Sequence, residues 1–235
     1  MSQHTDSKKL TNEEQFDVVR GNDNRLLLGI TGGIASGKST VAKMLEELGA
    51  PLVDFDILSR VVVEPGKEAW TDIVSYFGEQ VLLENRHLDR KKISDIVFQD
   101  AAKRKKLEGF IHPRIQLEFI KQIDDIGRAN PGAVIQVAVP LLIEVNMQNL
   151  FHKVIVVYIS RDKQIERLMK RDGITHQEAV NILNAQMHID EKLTHADYVI
   201  KNENSIEETR KQVEDLWQKL VILQKERCKK SNEPF

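Results

Sequence analysis

The chain has 235 residues, of which 41% are hydrophobic and 30% are charged, a composition typical of a globular protein with a substantial core. Its 34 basic and 36 acidic side chains leave a formal net charge of -2 at pH 7, which argues against a protein built mainly to hold nucleic acid. The single cysteine, Cys228, allows no internal disulfide, and no apolar run approaches the ~20 residues of a membrane span. We therefore expect a cytoplasmic protein without a nucleic-acid or membrane partner, and composition leaves its oligomeric state open.

Both ends of the chain are predicted to lie outside a central domain. Residues 1–24 are polar with little apolar periodicity, so we expect a disordered N-terminal extension. Residues 221–235 are interpreted as a basic C-terminal tail. Residues 25–220 then remain as one α/β domain.

A phosphate-binding loop follows the first predicted strand, which spans residues 25–30. The run 32–40 matches the pattern G-x-x-x-x-G-K-[ST], and a helix behind it is indicated by Val41, Met44, Leu45 and Leu48. In such a loop the glycines turn backbone N–H groups toward phosphates, while Lys38 supplies a positive charge and Ser39 a ligand for Mg²⁺. We predict that ATP binds through Gly33, Ile34, Ala35, Ser36, Gly37, Lys38, Ser39 and Thr40. An accidental glycine-rich turn is the alternative, which the flanking strand and helix disfavour.

Strand and helix patterns alternate along the rest of the chain. Apolar runs at 51–54, 133–139, 153–159 and 198–200 predict four more strands, and their alternation with helices indicates a parallel five-stranded sheet flanked by helices. The stretch 57–128 is too long for one crossover, so we expect a helical insertion that covers the acceptor side of the site. Residues 172–196 are predicted to form a lid, in which Thr175 and Glu178 make a capping box. A similar box at Ser205 and Glu208 begins the last helix, which packs on the sheet through Val213, Leu216, Trp217 and Leu220.

Two carboxylates stand at the end of the second strand. Ligands bind at the carboxyl ends of parallel strands, and alternate strand positions point to the same side, so Asp54 and Asp56 are expected to project together toward the site. We assign Asp56 as the base that takes a proton from an attacking hydroxyl and Asp54 as support on the metal side. The alternative is that one or both simply cap the following helix at Ile57.

The later strands narrow the class of enzyme. Neither Val134–Val139 nor Val154–Ile159 ends in the aspartate that motor and signalling P-loop proteins use at the metal, and the guanine-reading pattern Asn-Lys-x-Asp is absent from the sequence. The missing carboxylate must come from elsewhere, and Asp54 and Asp56 are the nearest candidates. A small-molecule kinase is favoured over a GTPase or a translocating ATPase.

Basic residues complete the candidate site. Arg167 and Arg171 lie one helical turn apart before the predicted lid, where arginine suits the spreading charge of a transferring phosphoryl group; a solvated helix face paired with Glu166 or Asp172 is the alternative. Arg60, one turn after Asp56, is placed to meet an anionic acceptor or else to lie on the surface. His112 and Pro113 are interpreted as a helix start with proline in the first turn.

The ordered motifs resemble those of the dephospho-coenzyme A kinase family. In the first half, the resemblance rests on Gly29–Ile34 leading into the loop, Val53–Asp56 with Arg60, Val63–Gly66, Leu88–Arg90 and Ile111–Pro113. In the second half, it rests on Val139–Leu142 with Glu144, Arg167–Asp172, Ala185–Met187, Glu191–Lys192 and Ala196–Ile200 with Asn202. The resemblance covers about residues 25–220, nearly the whole predicted domain.

The resemblance implies a P-loop kinase with a nucleotide core, a helical acceptor region and a lid. Its activity would be ATP-dependent phosphorylation of the ribose 3′-hydroxyl of dephospho-coenzyme A, the last step of coenzyme A synthesis, with ATP and Mg²⁺ as cofactors. By this similarity Asp56 is the catalytic aspartate, and Lys38, Arg167 and Arg171 assist it. The acceptor-side residues would be Asp54, Asp56, Arg60, His112, Pro140 and Leu141, and Asn202 would lie at the ATP site.

Three positions depart from the family pattern. Ala35 stands where glycine is usual, and we predict a negative φ there and an unimpaired loop. His87 replaces a common turn glycine, and His188 replaces the proline usual after Gln186-Met187, which leaves the hinge geometry of the lid open.

Two other functions are compatible with the loop alone. A kinase for another small alcohol, such as a nucleoside or a sugar acid, would share the sheet and the loop, so the acceptor insertion has to discriminate. A nucleotide-binding regulator would hydrolyse ATP in response to a partner, without dependence on an acceptor. The regulator ranks last, because the paired carboxylates and the paired arginines would have no role in it.

Overall fold

The computed structural model describes residue 19 and residues 24–231. The predictions for residues 1–18, 20–23 and 232–235 lie outside the described residues. Val19, within the predicted polar extension, is helical and only 1% exposed. No helix in the described part of the chain is long and apolar enough to cross a membrane.

The predicted parallel five-stranded sheet is confirmed. Its strands are β1 (Leu26–Gly32), β2 (Leu52–Asp54), β3 (Val134–Ala138), β4 (Lys153–Tyr158) and β5 (Tyr198–Lys201), in the order β2-β3-β1-β4-β5. In the centre, Gly29 of β1 is in register with Val137 of β3 and Val154 of β4, both in parallel. All seven residues of β1 are buried, as expected of a strand whose two faces are both covered.

Helices lie between and after the strands along the chain. They are α1 (Lys38–Glu47), α2 (Phe55–Val61), α3 (Glu68–Phe77), α4 (Arg90–Gln99), α5 (Ala101–Ala129), α6 (Arg161–Asp172), α7 (His176–Asn184), α8 (Ile189–Leu193) and α9 (Ile206–Ser231). Short 3₁₀ turns lie at Glu79–Val81 and Gln148–Leu150. The predicted apolar stripes are buried: one core cluster contains Val41, Met44 and Leu45 of α1, Val213, Leu216 and Leu220 of α9, and Leu26, Leu28 and Ile30 of β1.

The chain forms two compact units. One comprises the described residues up to Leu52 together with those from Ile126 onward, and the other comprises residues 53–125. The second unit has its own apolar cluster, which joins Val63 to Ile73 and Phe77 of α3 and to Ile93 of α4. Within it, the Arg114 guanidinium of α5 lies 2.7 Å from the Asp72 carboxylate of α3.

Two helix boundaries differ from the sequence prediction. No helix starts at His112 and Pro113, because α5 runs unbroken from Ala101 to Ala129 with Pro113 in its interior. The residue four positions before this proline is Gly109, which has no side chain to crowd the proline ring where the helical hydrogen bond is missing. At the other end, α9 continues to Ser231, so residues 221–231 of the predicted tail are helical.

Both predicted N-cap residues accept a hydrogen bond at the start of their helices, but only the box at Thr175 is complete. Thr175 and Glu178 form the complete capping box of α7. Ser205 accepts a hydrogen bond from the Glu208 backbone N–H, as predicted, but the Glu208 carboxylate accepts from the Asn204 side chain. Short polar side chains thus set the start of α7 and α9.

Candidate nucleotide site and acceptor residues

The predicted phosphate loop connects β1 to α1. Gly37 is the N-cap of α1, with φ 85°, and no side chain caps the helix there. The first backbone N–H groups of α1 are therefore left for a ligand, and the helix dipole favours an anion at that end. A positive φ is readily adopted only by glycine, which explains why Gly37 stands at this position.

Two buried amide side chains hold the loop from behind. Gln164 of α6 donates to the Ile34 carbonyl at 2.9 Å, and Asn202, after β5, donates to the Ser36 carbonyl at 2.8 Å. Thr209 of α9 fixes the Asn202 amide by donating to its oxygen at 3.0 Å. Because the carbonyls of alternate loop residues are engaged, the loop keeps one backbone arrangement, which is the requirement for a preorganised phosphate site.

The same two amides explain the loop glycines. A Cβ atom at Gly33 would overlap Gln164 Nε2, and one at Gly37 would overlap Asn202 Nδ2. Asn202 was predicted only from the family resemblance, and Gln164 was not predicted. The sequence gives no signal for this role, because the burial of Gln164, which is 4% exposed, is visible only in the structure.

The prediction for Ala35 was wrong, because its φ is 58°, in the left-handed region. An L-residue there costs about 1–2 kcal/mol relative to the right-handed conformation. The Ala35 side chain packs against the cluster of Ile165, Leu168 and Ala179, and this burial partly offsets the cost. The loop therefore carries strain at Ala35, the position where this chain lacks a glycine that is usual in the family pattern.

The loop residues fit a phosphate chain. Ser36 is 1% exposed, and its Oγ has no hydrogen-bond partner among the described residues, so a buried hydroxyl is left to donate to an incoming oxygen. Lys38 and Ser39 begin α1, and Ser39 is exposed to solvent. The uncapped helix start and the buried hydroxyl together match the donor set that a nucleotide triphosphate needs.

The structure separates the two candidate arginines. Arg167 donates to the Asn202 backbone carbonyl at 2.7 Å, and its Nη1 is 3.8 Å from the position of a Cβ built on Gly37, so it lies beside the loop. Arg171 instead makes two hydrogen bonds to Asp172, at 2.7 and 2.9 Å. This pairing raises the pKa of Arg171 and lowers the pKa of Asp172, and it matches the surface alternative weighed for Arg171.

In the second unit, Asp54 caps the helix that carries Asp56. The Asp54 Oδ1 atom accepts from the Asp56 backbone N–H at 2.7 Å, so the capping alternative is correct for Asp54. Asp56 lies in the first turn of α2, because the strand ends at Asp54; the expectation that both carboxylates project from one strand was wrong. Ser59 and Arg60 follow Asp56 by three and four residues, which places them on the same face of α2.

The remaining predicted acceptor residues lie on both units. His112 is an exposed residue in the interior of α5. Pro140 follows β3, and its carbonyl accepts from the buried Thr31 hydroxyl at 3.1 Å, which anchors the start of the loop after β3. Leu141, the next residue, is 40% exposed.

A buried ion pair, which was not predicted as a contact, joins the loop after β3 to the predicted lid. Lys192 of α8 is completely buried, and its Nζ lies 2.7 Å from Glu144 Oε1.

His188, the N-cap of α8, has φ −59°, within the range that proline fixes, so the lid keeps a proline-like backbone at this position. In the turn that contains His87, the residue with a positive φ is Arg86 and not His87.

Comparisons of the sequence with known proteins identify one family. Residues 26–208 match the family model described as dephospho-CoA kinase. A dephospho-CoA kinase from Listeria monocytogenes is 43% identical over 186 residues, which cover 79% of this chain and 92% of that protein. One from Oceanobacillus iheyensis is 42% identical over 197 residues, covering 84% and 98%. The solved structure of dephospho-CoA kinase from Campylobacter jejuni superposes with a TM-score of 0.65 at 30% identity, over 84% of this chain and 98% of that one.

Proposed function

The chain belongs to the dephospho-CoA kinase family, and from that premise we propose that it transfers the γ-phosphoryl group of ATP to the ribose 3′-hydroxyl of dephospho-CoA. The products are coenzyme A and ADP, and the reaction is the last step of coenzyme A synthesis. The observation that carries the proposal is the phosphate loop, whose carbonyls are braced by Gln164 and Asn202 and whose helix start has no side-chain cap.

The loop binds and orients the phosphates of ATP in this mechanism. Its backbone N–H groups and the Ser36 hydroxyl donate to phosphate oxygens, and Lys38 stabilises negative charge as it develops. Arg167, and Arg171 once it leaves Asp172, supply further positive charge to the phosphoryl oxygens. Mg²⁺ neutralises charge on the phosphates when bound, and we assign Ser39 as its ligand and Asp54 as its support.

Asp56 acts on the acceptor. Its carboxylate accepts the proton of the ribose hydroxyl and orients the oxygen for attack, while Arg60 attracts the anionic part of the acceptor. A carboxylate at the first turn of a capped helix is held in place, because Asp54 fixes the backbone N–H of Asp56 itself. The Asp54 Oδ1 atom is engaged in that cap, so any role at the metal falls to its other oxygen.

An ADP-coupled assay tests the proposal. ADP release is measured with ATP alone, with ATP and dephospho-CoA, and with ATP and a panel of nucleosides and sugar acids. We expect ADP release to depend on dephospho-CoA and to equal the coenzyme A formed. Equal ADP release without any acceptor, or faster release with a nucleoside or a sugar acid, would contradict the proposed function.

A further inference from the structure

A cavity of about 310 Å³ opens within the unit 53–125, and neither Asp56 nor Arg60 is among its lining residues. Its lining is mostly aliphatic and comes from Val63, Leu88, Ile93, Val97, Leu107 and Ile111. The other lining residues are Ser59, Ser94 and Arg90. The cavity therefore suits an elongated group that carries methyl and methylene groups together with a few polar atoms.

The cavity continues the face of α2 that presents the proposed base. Asp56, Ser59 and Val63 follow one another at spacings of three and four residues, and the Ser59 hydroxyl donates to the Asp56 backbone carbonyl at 2.8 Å. At 1.5 Å per residue, Ser59 stands about 5 Å further along the helix than Asp56. An elongated molecule whose hydroxyl contacts Asp56 can therefore also reach the mouth of the cavity.

One cation stands at this cavity. Arg90 is exposed, it is the charged residue among the lining residues, and it forms no ion pair with any other described residue. The carboxylate next to it in sequence, Asp89, is engaged as the N-cap of α4, where it accepts from the Lys92 backbone N–H at 3.0 Å. Arg90 is accordingly available to an anionic group that lies outside the aliphatic part of the cavity.

Resting on the proposed function, we propose that this cavity binds the pantetheine arm of dephospho-CoA and that Arg90 binds the diphosphate. In dephospho-CoA the diphosphate lies between the reacting ribose and the arm, so one molecule offers a hydroxyl to Asp56, an anionic group to Arg90 and an apolar arm to the aliphatic lining. The arm has a gem-dimethyl group and methylene segments for the aliphatic side chains, and amides for the two serine hydroxyls. The lining contains no aromatic side chain on which the adenine would stack, which favours the arm over the base.

Filling the cavity tests the proposal. Ser94→Trp introduces a large side chain at an exposed lining residue, and Gln99→Trp places the same side chain on α4 outside the lining. The kcat/KM is measured for dephospho-CoA and for adenosine 5′-monophosphate, a truncated acceptor without the arm. We expect Ser94→Trp to lower kcat/KM for dephospho-CoA roughly tenfold or more, with the KM for ATP and the kcat/KM for the truncated acceptor unchanged. Gln99→Trp is expected to change none of these values.

A second pair of variants avoids any dependence on how tryptophan packs. Arg90→Gln is expected to raise the KM for dephospho-CoA several-fold, whereas Lys91→Gln, on the next residue, is not. If Ser94→Trp and Arg90→Gln leave the preference for dephospho-CoA over the truncated acceptor unchanged, the cavity does not bind the arm. If the wild-type protein phosphorylates neither acceptor, the proposed function fails and the inference falls with it, so the two failures are distinct.

Discussion

Lys192 Nζ lies 2.7 Å from Glu144 Oε1, and the lysine side chain is completely excluded from solvent. The pair ties α8, in the predicted lid, to the loop that begins at Pro140. A buried charge without its partner is much less stable than the pair, so the two ends of this contact hold each other in place.

Removal of one partner of this pair is expected to destabilise the protein strongly. Lys192→Met should lower the free energy of unfolding by about 3 kcal/mol or more, since it leaves the Glu144 carboxylate unpaired. The double variant Lys192→Met/Glu144→Gln should recover part of this loss, and Lys219→Met, at an exposed lysine of α9, should have little effect. Urea unfolding measures all of them; additive losses in the double variant would show that the pair is not coupled.

Substitution of Gln164 is predicted to suppress part of the effect of a substitution at Gly33. Gly33→Ala should raise the KM for ATP roughly tenfold or more, because the added methyl group overlaps Gln164 Nε2 and either the Gln164 amide or the loop has to shift. Gly33→Ala/Gln164→Ala removes the overlap, and we expect lower KM values than for Gly33→Ala alone. Steady-state kinetics with varied ATP measure the effect.

Gly37 and Asn202 are expected to behave differently from Gly33 and Gln164. Gly37 has φ 85°, so Gly37→Ala stays strained whatever its neighbour is, and Gly37→Ala/Asn202→Ala should not recover activity. Recovery of activity in Gly37→Ala/Asn202→Ala, or no recovery in Gly33→Ala/Gln164→Ala, would contradict the assigned roles. In those roles, packing requires the glycine at position 33 and backbone conformation requires the glycine at position 37.

Asp56→Asn is expected to lower kcat by roughly 10²–10⁴-fold, since the amide cannot accept the hydroxyl proton. The dissociation constant for ATP, measured by calorimetry, should stay within about twofold of the wild-type value, because the loop is unchanged. Asp95→Asn, at an exposed carboxylate of α4, serves as the control. Near-normal turnover of Asp56→Asn would reject this residue as the base.

The two arginines of α6 should differ in their effect on turnover. Arg167 already lies beside the loop, whereas Arg171 must first give up its bonds to Asp172. We therefore expect Arg167→Ala to lower kcat by about 100-fold and Arg171→Ala to lower it less. Lys170→Ala provides the control, and the ADP-coupled assay gives kcat for each variant. A larger loss of kcat in Arg171→Ala than in Arg167→Ala would show that the lid rearranges more than this structure indicates.

Glu203 is predicted to make stability depend on pH. Its carboxylate accepts from the Ser160 backbone N–H at 2.8 Å, and this bond lowers the pKa of Glu203 below its ordinary value of 4.5. A lowered folded-state pKa means that the stabilisation is fully present above about pH 4.5 and is lost as the pH falls through the folded-state value. The wild type should therefore lose its advantage over Glu203→Gln on acidification.

Urea unfolding at pH 7 and at pH 3.5 measures this difference. Glu203→Gln should be less stable than the wild type at pH 7, and the gap should shrink at pH 3.5. Glu214→Gln, at an exposed carboxylate of α9, should show no such change. A gap between wild type and Glu203→Gln that is independent of pH would rule out the bond as its cause.

Local patterns were sufficient for most of the fold. The five strands, the apolar stripes of α1 and α9 and the capping box at Thr175 are visible in the sequence because each depends on residues close together in the chain. The phosphate loop is visible for the same reason: its glycines, Lys38 and Ser39 are consecutive. The errors arose where a local signal had two structural meanings. Pro113 indicated a helix start but lies inside α5, and Asp56 was assigned to a strand but lies in a helix that Asp54 caps.

The sequence by itself determined the parallel sheet, the candidate phosphate loop and the family. Only the tertiary structure decided which side chains support that loop, because Gln164 and Ile34 are 130 positions apart in the chain and Asn202 and Ser36 are 166 apart. The positive φ of Ala35 also depends on the tertiary structure, since packing against α6 offsets part of the backbone preference of one residue. Hydrophobic spacing records which face of an element is buried, but it carries no information about which distant polar group a buried amide will meet.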